Sequence, residues 1–219
     1  MKNELSMQKK KKRFSWALDE SKYLKLYEIK RLRNACKKAR IPALKQGKTT
    51  AVRDWYMVEL GLNTGLRVKE MANLKCGDLL IKKERSSIIV HKGKGGKKRT
   101  VWINSDFKQA CLWFLEWKSK TGQRTDDQAY LLTDKNSNQL TKRALQKAFK
   151  RCIKKSNLPN HYSIHSLRHT YGTHLYIASS HNLRLVQQQL GHSSVRVTEV
   201  YASLIGSDVK KAIEKLYKK

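Results

Sequence analysis

His165 and Arg168 stand three residues apart in the segment IHSLRHTYG, a spacing that puts both side chains on one face of a helix. An imidazole exchanges a proton near neutral pH, and a guanidinium holds two phosphate oxygens in its rigid fork. Together they could make a phosphate-handling pair, although HxxR alone is more often an ordinary surface pair. Further on, in LGHSSVRVTEVYA, His192 precedes Tyr201 by nine residues. A tyrosine among small and β-branched neighbours can simply fill a core. Its phenol is also the nucleophile needed if the product is a phosphotyrosyl ester. Arg67 in TGLRVKE offers a second phosphate clamp, with Glu70 one helical turn later to orient Arg67 or His165. The competing reading of Arg67 and Glu70 is a surface i, i+3 contact worth roughly 0.2–0.5 kcal/mol. In HKGKGGKKR, glycines around Lys94 permit close approach to a phosphate, and a lysine can protonate a departing alkoxide. A loose basic hairpin has the same composition.

Such residues act together only if the chain folds them together. Leu24, Tyr27, Leu32, Ala35, Cys36 and Ala39 recur at spacings of three and four, predicting a helix over 21–39 that Pro42 and Gly47 end. A second helix is expected over 50–63, followed by a turn at Thr64 and Gly65 and a short helix beyond it. SSIIV (86–90) and KKRTVWI (97–103) read as strands around the glycine-rich HKGKGG. A lone hairpin is marginal, so Ile88, Val90, Val101 and Ile103 are expected to rest on the helical body. Helices over 105–118, 142–154, 166–178 and 183–190 follow, with Thr141 as an N-cap, a turn at Gly191 and a last helix over 208–216. In the 142–154 helix, Leu145, Ala148, Phe149, Cys152 and Ile153 form an apolar face opposite Arg143, Lys147, Lys150, Arg151 and Lys154. The basic face suits a DNA backbone or plain solvent. The expected fold class is mainly α with a small β hairpin or sheet.

Composition narrows the partners. The 219 residues include 48 Lys and Arg against 17 Asp and Glu, a formal charge of +31. With 39% hydrophobic residues the chain can bury a core, which argues against intrinsic disorder. The charge calls for a polyanion, first of all nucleic acid. No run approaches the roughly 20 apolar residues that span a bilayer, and no signal-peptide core follows the first basic residues. Cys36, Cys76, Cys111 and Cys152 are widely spaced and read as buried thiols in a reducing compartment, with neither zinc spacing nor a disulfide framework.

TGLRVKEM, GKGGKKRTV, HSLRHTYGTHL and LGHSSVRVTEVYA, in that order, resemble the catalytic domain of the tyrosine recombinase, or phage integrase, family from about Tyr23 onward. The resemblance implies that Arg67, Glu70, Lys94, His165, Arg168, His192 and Tyr201 are catalytic, Lys92 and Lys97 being weaker alternatives to Lys94. It implies the tyrosine recombinase catalytic-domain fold and a site-specific recombinase that joins DNA through a 3′-phosphotyrosyl intermediate, in integration, excision or inversion, with neither cofactor nor metal. Expected DNA contacts are Lys92, Lys97, Lys98, Arg99, Arg143, Lys147, Lys150 and Arg151. VWIN stands where the family commonly has a proline after the second hairpin strand. Only 22 residues precede Tyr23, so the expected organisation is a basic tail (1–22, with the run Lys9 to Arg13), a catalytic domain (23–219) and no full-sized core-binding domain. Expected partners are double-stranded DNA, further copies in a DNA-dependent homo-tetramer that is monomeric without DNA, and an accessory DNA-bending or core-binding protein, with no membrane. The expected location is cytoplasmic or nucleoid-associated. Two alternatives share part of the pattern: a type IB topoisomerase-like enzyme that relaxes DNA, and a noncatalytic DNA-binding descendant.

Overall fold

The computed structural model describes residues 20–82, 84, 86–91 and 98–192. The basic run at Lys9 to Arg13, Lys92, Lys94, Lys97, Tyr201 and the expected helix over 208–216 lie outside the described residues.

After a 3-10 turn at Glu20–Lys22, α1 spans Leu26–Lys45. It starts later than the periodicity predicts and runs through Pro42 instead of ending there. Pro42 faces solvent, so the carbonyl left without its N–H partner can be hydrated, while the next residue, Ala43, is buried. Packing of the last turn therefore outweighs the helix-breaking ring. The chain just before α1 is strapped to a later helix, α6 (Ile164–Ala178). Leu24 donates its N–H to Thr170 Oγ1 at 2.9 Å, and Leu24 O meets His174 Nε2 at 3.1 Å. The Tyr162 hydroxyl donates to the buried Glu28 carboxylate, 3.0 Å from each oxygen.

Helix α2 (Thr50–Thr64) ends at Gly65, and the short α3 (Val68–Asn73) begins after Arg67. A 3-10 turn, Cys76–Asp78, leads into an antiparallel sheet of order β1-β2-β3: β1 Leu79–Leu80, β2 Ser87–His91 and β3 Lys98–Trp102. The hairpin register pairs Ile88 with Val101 and Val90 with Arg99. Ile88, Val90, Val101 and Ile103 are all buried, as their alternation predicts. The third strand, β1, was not expected, because two leucines leave no period to read.

Asn104 caps α4 (Ser105–Lys120) by accepting the Phe107 N–H. The core centres on Tyr56 of α2, whose ring stacks on Phe114 at 3.8 Å between centroids and 4° between planes. Lys118, on α4 with Phe114, is fully buried, as an unpaired lysine rarely is. Its ammonium donates to Thr133 Oγ1 at 2.9 Å and sits 3.4 Å from Gln123 Oε1 and Tyr130 O, fixing the long 121–141 connection. Thr141 caps α5 (Lys142–Lys155) through the Ala144 N–H, and the helix turns its five apolar residues inward and its basic residues outward. Helix α7 (Leu183–Leu190) follows α6 and stops at Gly191 in the left-handed conformation. All four cysteines are buried free thiols. Among the described residues no helix is long and apolar enough to cross a membrane.

Candidate active site

Three chain segments far apart in sequence meet at Arg168. Its residue is 8% exposed, and its fork donates from Nη1 to Gly65 O at 2.6 Å and from Nη2 to Leu190 O at 2.8 Å. One arginine thus ties the end of α2, the middle of α6 and the end of α7 together through backbone carbonyls. His165, one turn earlier, is exposed in the first turn of α6.

Beside Gly65, Arg67 is the N-cap of α3 and Glu70 its third residue. Glu70 Oε2 accepts the Arg67 backbone N–H at 2.8 Å, and Oε1 accepts from Arg67 Nη1 at 3.1 Å. Glu70 therefore orients Arg67, not His165, within the distances found. The Arg67 side chain is 43% exposed, so the rest of its guanidinium is open to a ligand. Glu70 has a second, stronger partner: Arg99 closes a bidentate fork on it, Nη1 to Oε1 at 2.8 Å and Nη2 to Oε2 at 2.9 Å. Burial alone would raise the Glu70 carboxyl. The hydrogen bonds and charge of Arg99, followed by those of Arg67, reverse that and bring it down to about 2.

Arg99 departs from its expected place at the DNA surface. Its side chain is 8% exposed and committed to Glu70, because Arg99 shares the inward face of β3 with Val101. Lys98, its neighbour on the other face, is exposed.

His192 occupies the turn after α7, where its N–H donates to Gln187 O at 3.1 Å. Burial, followed by the positive charges of Arg168, Arg67 and Arg99, pushes its imidazole down to about 3. The ring is therefore neutral at pH 7 and can donate through one nitrogen only. Arg168 holds the carbonyls of Gly65 and Leu190, each two residues before Arg67 and His192, which brings the three to one corner of the fold. His169, next to Arg168, was not singled out in the sequence. Burial and then the charges of Arg168, His165 and Lys22 lower it to about 4.

Helix α5 presents Arg143, Lys147 and Lys150 to solvent. With Lys154, Asn157 and Asn160 they line an open hollow of about 980 Å³. Lys150 donates to the Asn160 carbonyl. Arg151 is differently engaged, forking onto the buried Asp54 carboxylate at 3.1 and 3.0 Å.

Residues 22–205 match the sequence profile of the phage integrase family. The tyrosine recombinase XerC of Caldanaerobacter subterraneus is 34% identical over 164 residues, covering 74% of this chain and 44% of that protein. The crystal structure of XerA recombinase superposes with a TM-score of 0.71 at 27% identity, over 90% of this chain and 65% of that one. XerH site-specific recombinase, bound to palindromic difH substrate in a post-cleavage complex, gives a TM-score of 0.71 at 25% identity over 90% of this chain and 53% of that one. The chain spans about half the length of the curated relatives it matches. A mainly helical body, a small antiparallel sheet and paired arginines set by α3 and α6 thus have a common explanation: the chain belongs to the phage integrase family and has the tyrosine recombinase catalytic-domain fold.

Proposed function

We propose that this chain is the catalytic unit of a site-specific DNA recombinase that cleaves and rejoins strands through Tyr201. The observation that carries the reading is the convergence of Arg67, Arg168 and a neutral His192 from three separate segments. Two fixed cations and one neutral donor match a phosphate whose charge grows in the transition state. The relative XerH, solved with its DNA substrate after cleavage, supports the same substrate class.

In the proposed reaction the Tyr201 phenolic oxygen attacks the scissile phosphorus, forming a phosphorus–oxygen bond as the bond to the 5′ oxygen breaks. Arg67 and Arg168 neutralise the equatorial oxygens of the pentavalent transition state, and His192 adds a hydrogen bond. His165, exposed on the first turn of α6, takes the phenolic proton. Lys94 delivers a proton to the leaving 5′ oxygen. The 3′-phosphotyrosyl ester conserves the energy of the broken bond, so a second strand's 5′ hydroxyl reverses the chemistry and joins the strands. The exposed Arg143, Lys147 and Lys150 hold the duplex by its backbone. Exchange between two sites requires four active centres, hence a tetramer assembled on DNA from monomers, with an accessory DNA-bending or core-binding protein as a further partner.

A library of nicked duplexes with a randomised core tests this reading, because a nick lets the 5′ fragment diffuse away and traps the adduct. The parent is expected to yield denaturation-resistant protein–DNA complexes that Tyr201→Phe abolishes and Arg168→Ala reduces by about 100-fold or more. An adduct surviving in Tyr201→Phe would reject the nucleophile.

A further inference from the structure

Arg99 is a buried arginine on the strand that follows the hairpin lysines, and its side chain runs inward, to Glu70 and to the end of α7. Its fork holds both oxygens of Glu70 at 2.8 and 2.9 Å, and its Nε points to Gln189 O at 3.4 Å. Its stem lies against Gly191, where an added Cβ would come within 2.5 Å of Arg99 Cδ and 2.7 Å of Nε. Gly191 has φ +64°, and the next residue is His192. The strand is tied to the same turn a second time, since the Trp102 N–H donates to Gln189 Oε1 at 3.2 Å. Arg99 therefore touches, in one reach from β3, the carboxylate that aims Arg67 and the turn that sets His192.

We infer that Arg99 is a positioning residue for the phosphate site, locking Glu70 and the Gly191–His192 turn to the strand that leads from the hairpin, and is not a DNA contact. The inference rests on the reading of Arg67 and His192 as phosphate ligands. A bidentate fork fixes orientation as well as distance, which a lysine's single ammonium cannot do. Through it the hairpin strand and both sides of the site form one rigid unit, so a shift of β3 is felt at Arg67 and at His192 together.

The test uses the full chain as parent, Arg99→Lys and Arg99→Ala, with a duplex recovered from the nicked library. Lysine keeps the charge and the packed methylenes, so Arg99→Lys retains the fold even where alanine does not. DNA affinity is expected to stay within about twofold of the parent and its salt slope to stay unchanged, since no phosphate contact is lost. The single-turnover cleavage rate at saturating DNA should fall about 100-fold in both variants, with lysine giving no rescue. In an NMR titration of the free protein, Glu70 should rise in both variants from about 2 toward the ordinary carboxylate range. His192, surrounded by Arg67, Arg99, Arg168 and His169, should move with it in Arg99→Ala. A salt slope reduced by about 0.9 with an unchanged cleavage rate would instead make Arg99 a phosphate contact and overturn the inference. So would a Glu70 that titrates as in the parent. If the parent forms no covalent adduct with any duplex, the recombinase reading fails, and the titration still decides whether Arg99 positions Glu70.

Discussion

Replacing Gly61 with alanine probes how tightly the fold sets the HxxR helix. Gly61 lies in α2 where α6 crosses, and a Cβ there would stand 2.5 Å from Leu167 Cδ1, 3.0 Å from its Cβ and 3.3 Å from its Cγ. Leu167 is 1% exposed, so its side chain cannot swing clear. Restoring ordinary carbon–carbon contact at about 3.5–4.0 Å requires α6 to back away by about 1–1.5 Å. In a helix, Gly→Ala should stabilise by about 0.8–1 kcal/mol through backbone entropy, whereas overpacking costs about 1–3 kcal/mol. The balance is a loss of about 0–2 kcal/mol, visible as a lower urea midpoint with an unchanged slope. Function should suffer more than stability. Leu167 immediately precedes Arg168, whose fork is aligned on Gly65 O and Leu190 O, and a displacement near 1 Å is worth about 100-fold in rate. Single-turnover trapping on nicked DNA measures that rate. Adding Leu167→Ala relieves the clash, so the two substitutions should couple by about 0.5–3 kcal/mol instead of adding. The reasoning is refuted if Gly61→Ala gains the full helix-propensity increment and cleaves at the parental rate.

Glu70 has a folded-state value near 2 against an ordinary 4.5, so its contribution is complete above about pH 4.5 and lost as pH falls through 2. His192 is depressed from 6.5 to about 3, so protonation of the unfolded chain weakens the fold progressively from pH 6.5 down to 3. Urea midpoints measured across pH should therefore fall in two overlapping acid windows. Glu70→Gln should flatten only the lower, and His192→Gln should shrink the upper to the part that the depressed His169 contributes; an unaltered upper window in His192→Gln would contradict the assignment. On α5, Arg143→Gln, Lys147→Gln and Lys150→Gln should each reduce the salt slope of DNA binding by about 0.9 and leave stability within about 0.5 kcal/mol of the parent. Arg151→Gln should behave differently, costing about 1–2 kcal/mol of stability because it strands the buried Asp54 carboxylate.

Long periodic segments were the most legible part of the sequence. Helix α5 turns the same five apolar residues inward that its spacing marks, and the hairpin buries Ile88, Val90, Val101 and Ile103. The boundaries that failed are those where tertiary packing outweighs local preference, as at Pro42. The two-residue strand β1 and the burial of Lys118 depend on partners remote in sequence. At the site, Arg67 and Glu70 were legible as a pair because a cap and its third helical residue are local. What aims Arg168 was not legible, since its acceptors are main-chain carbonyls at positions 65 and 190. Arg99, expected among the DNA contacts, lies with its side chain on Glu70, and the signal for that burial was in the sequence. Arg99 alternates with Val101 and Ile103, so the pattern that turns those residues inward also turns Arg99 inward, and a buried arginine requires a carboxylate.

Mass spectrometry of the trapped complex tests the central claim most directly. After denaturation, digestion of the protein and trimming of the DNA, the account predicts one modified peptide, with the 3′ phosphate of the cleaved strand esterified to the Tyr201 oxygen and a free hydroxyl on the released 5′ end. A nucleotide found on any other side chain, or a 5′ phosphate on the released strand, would contradict it.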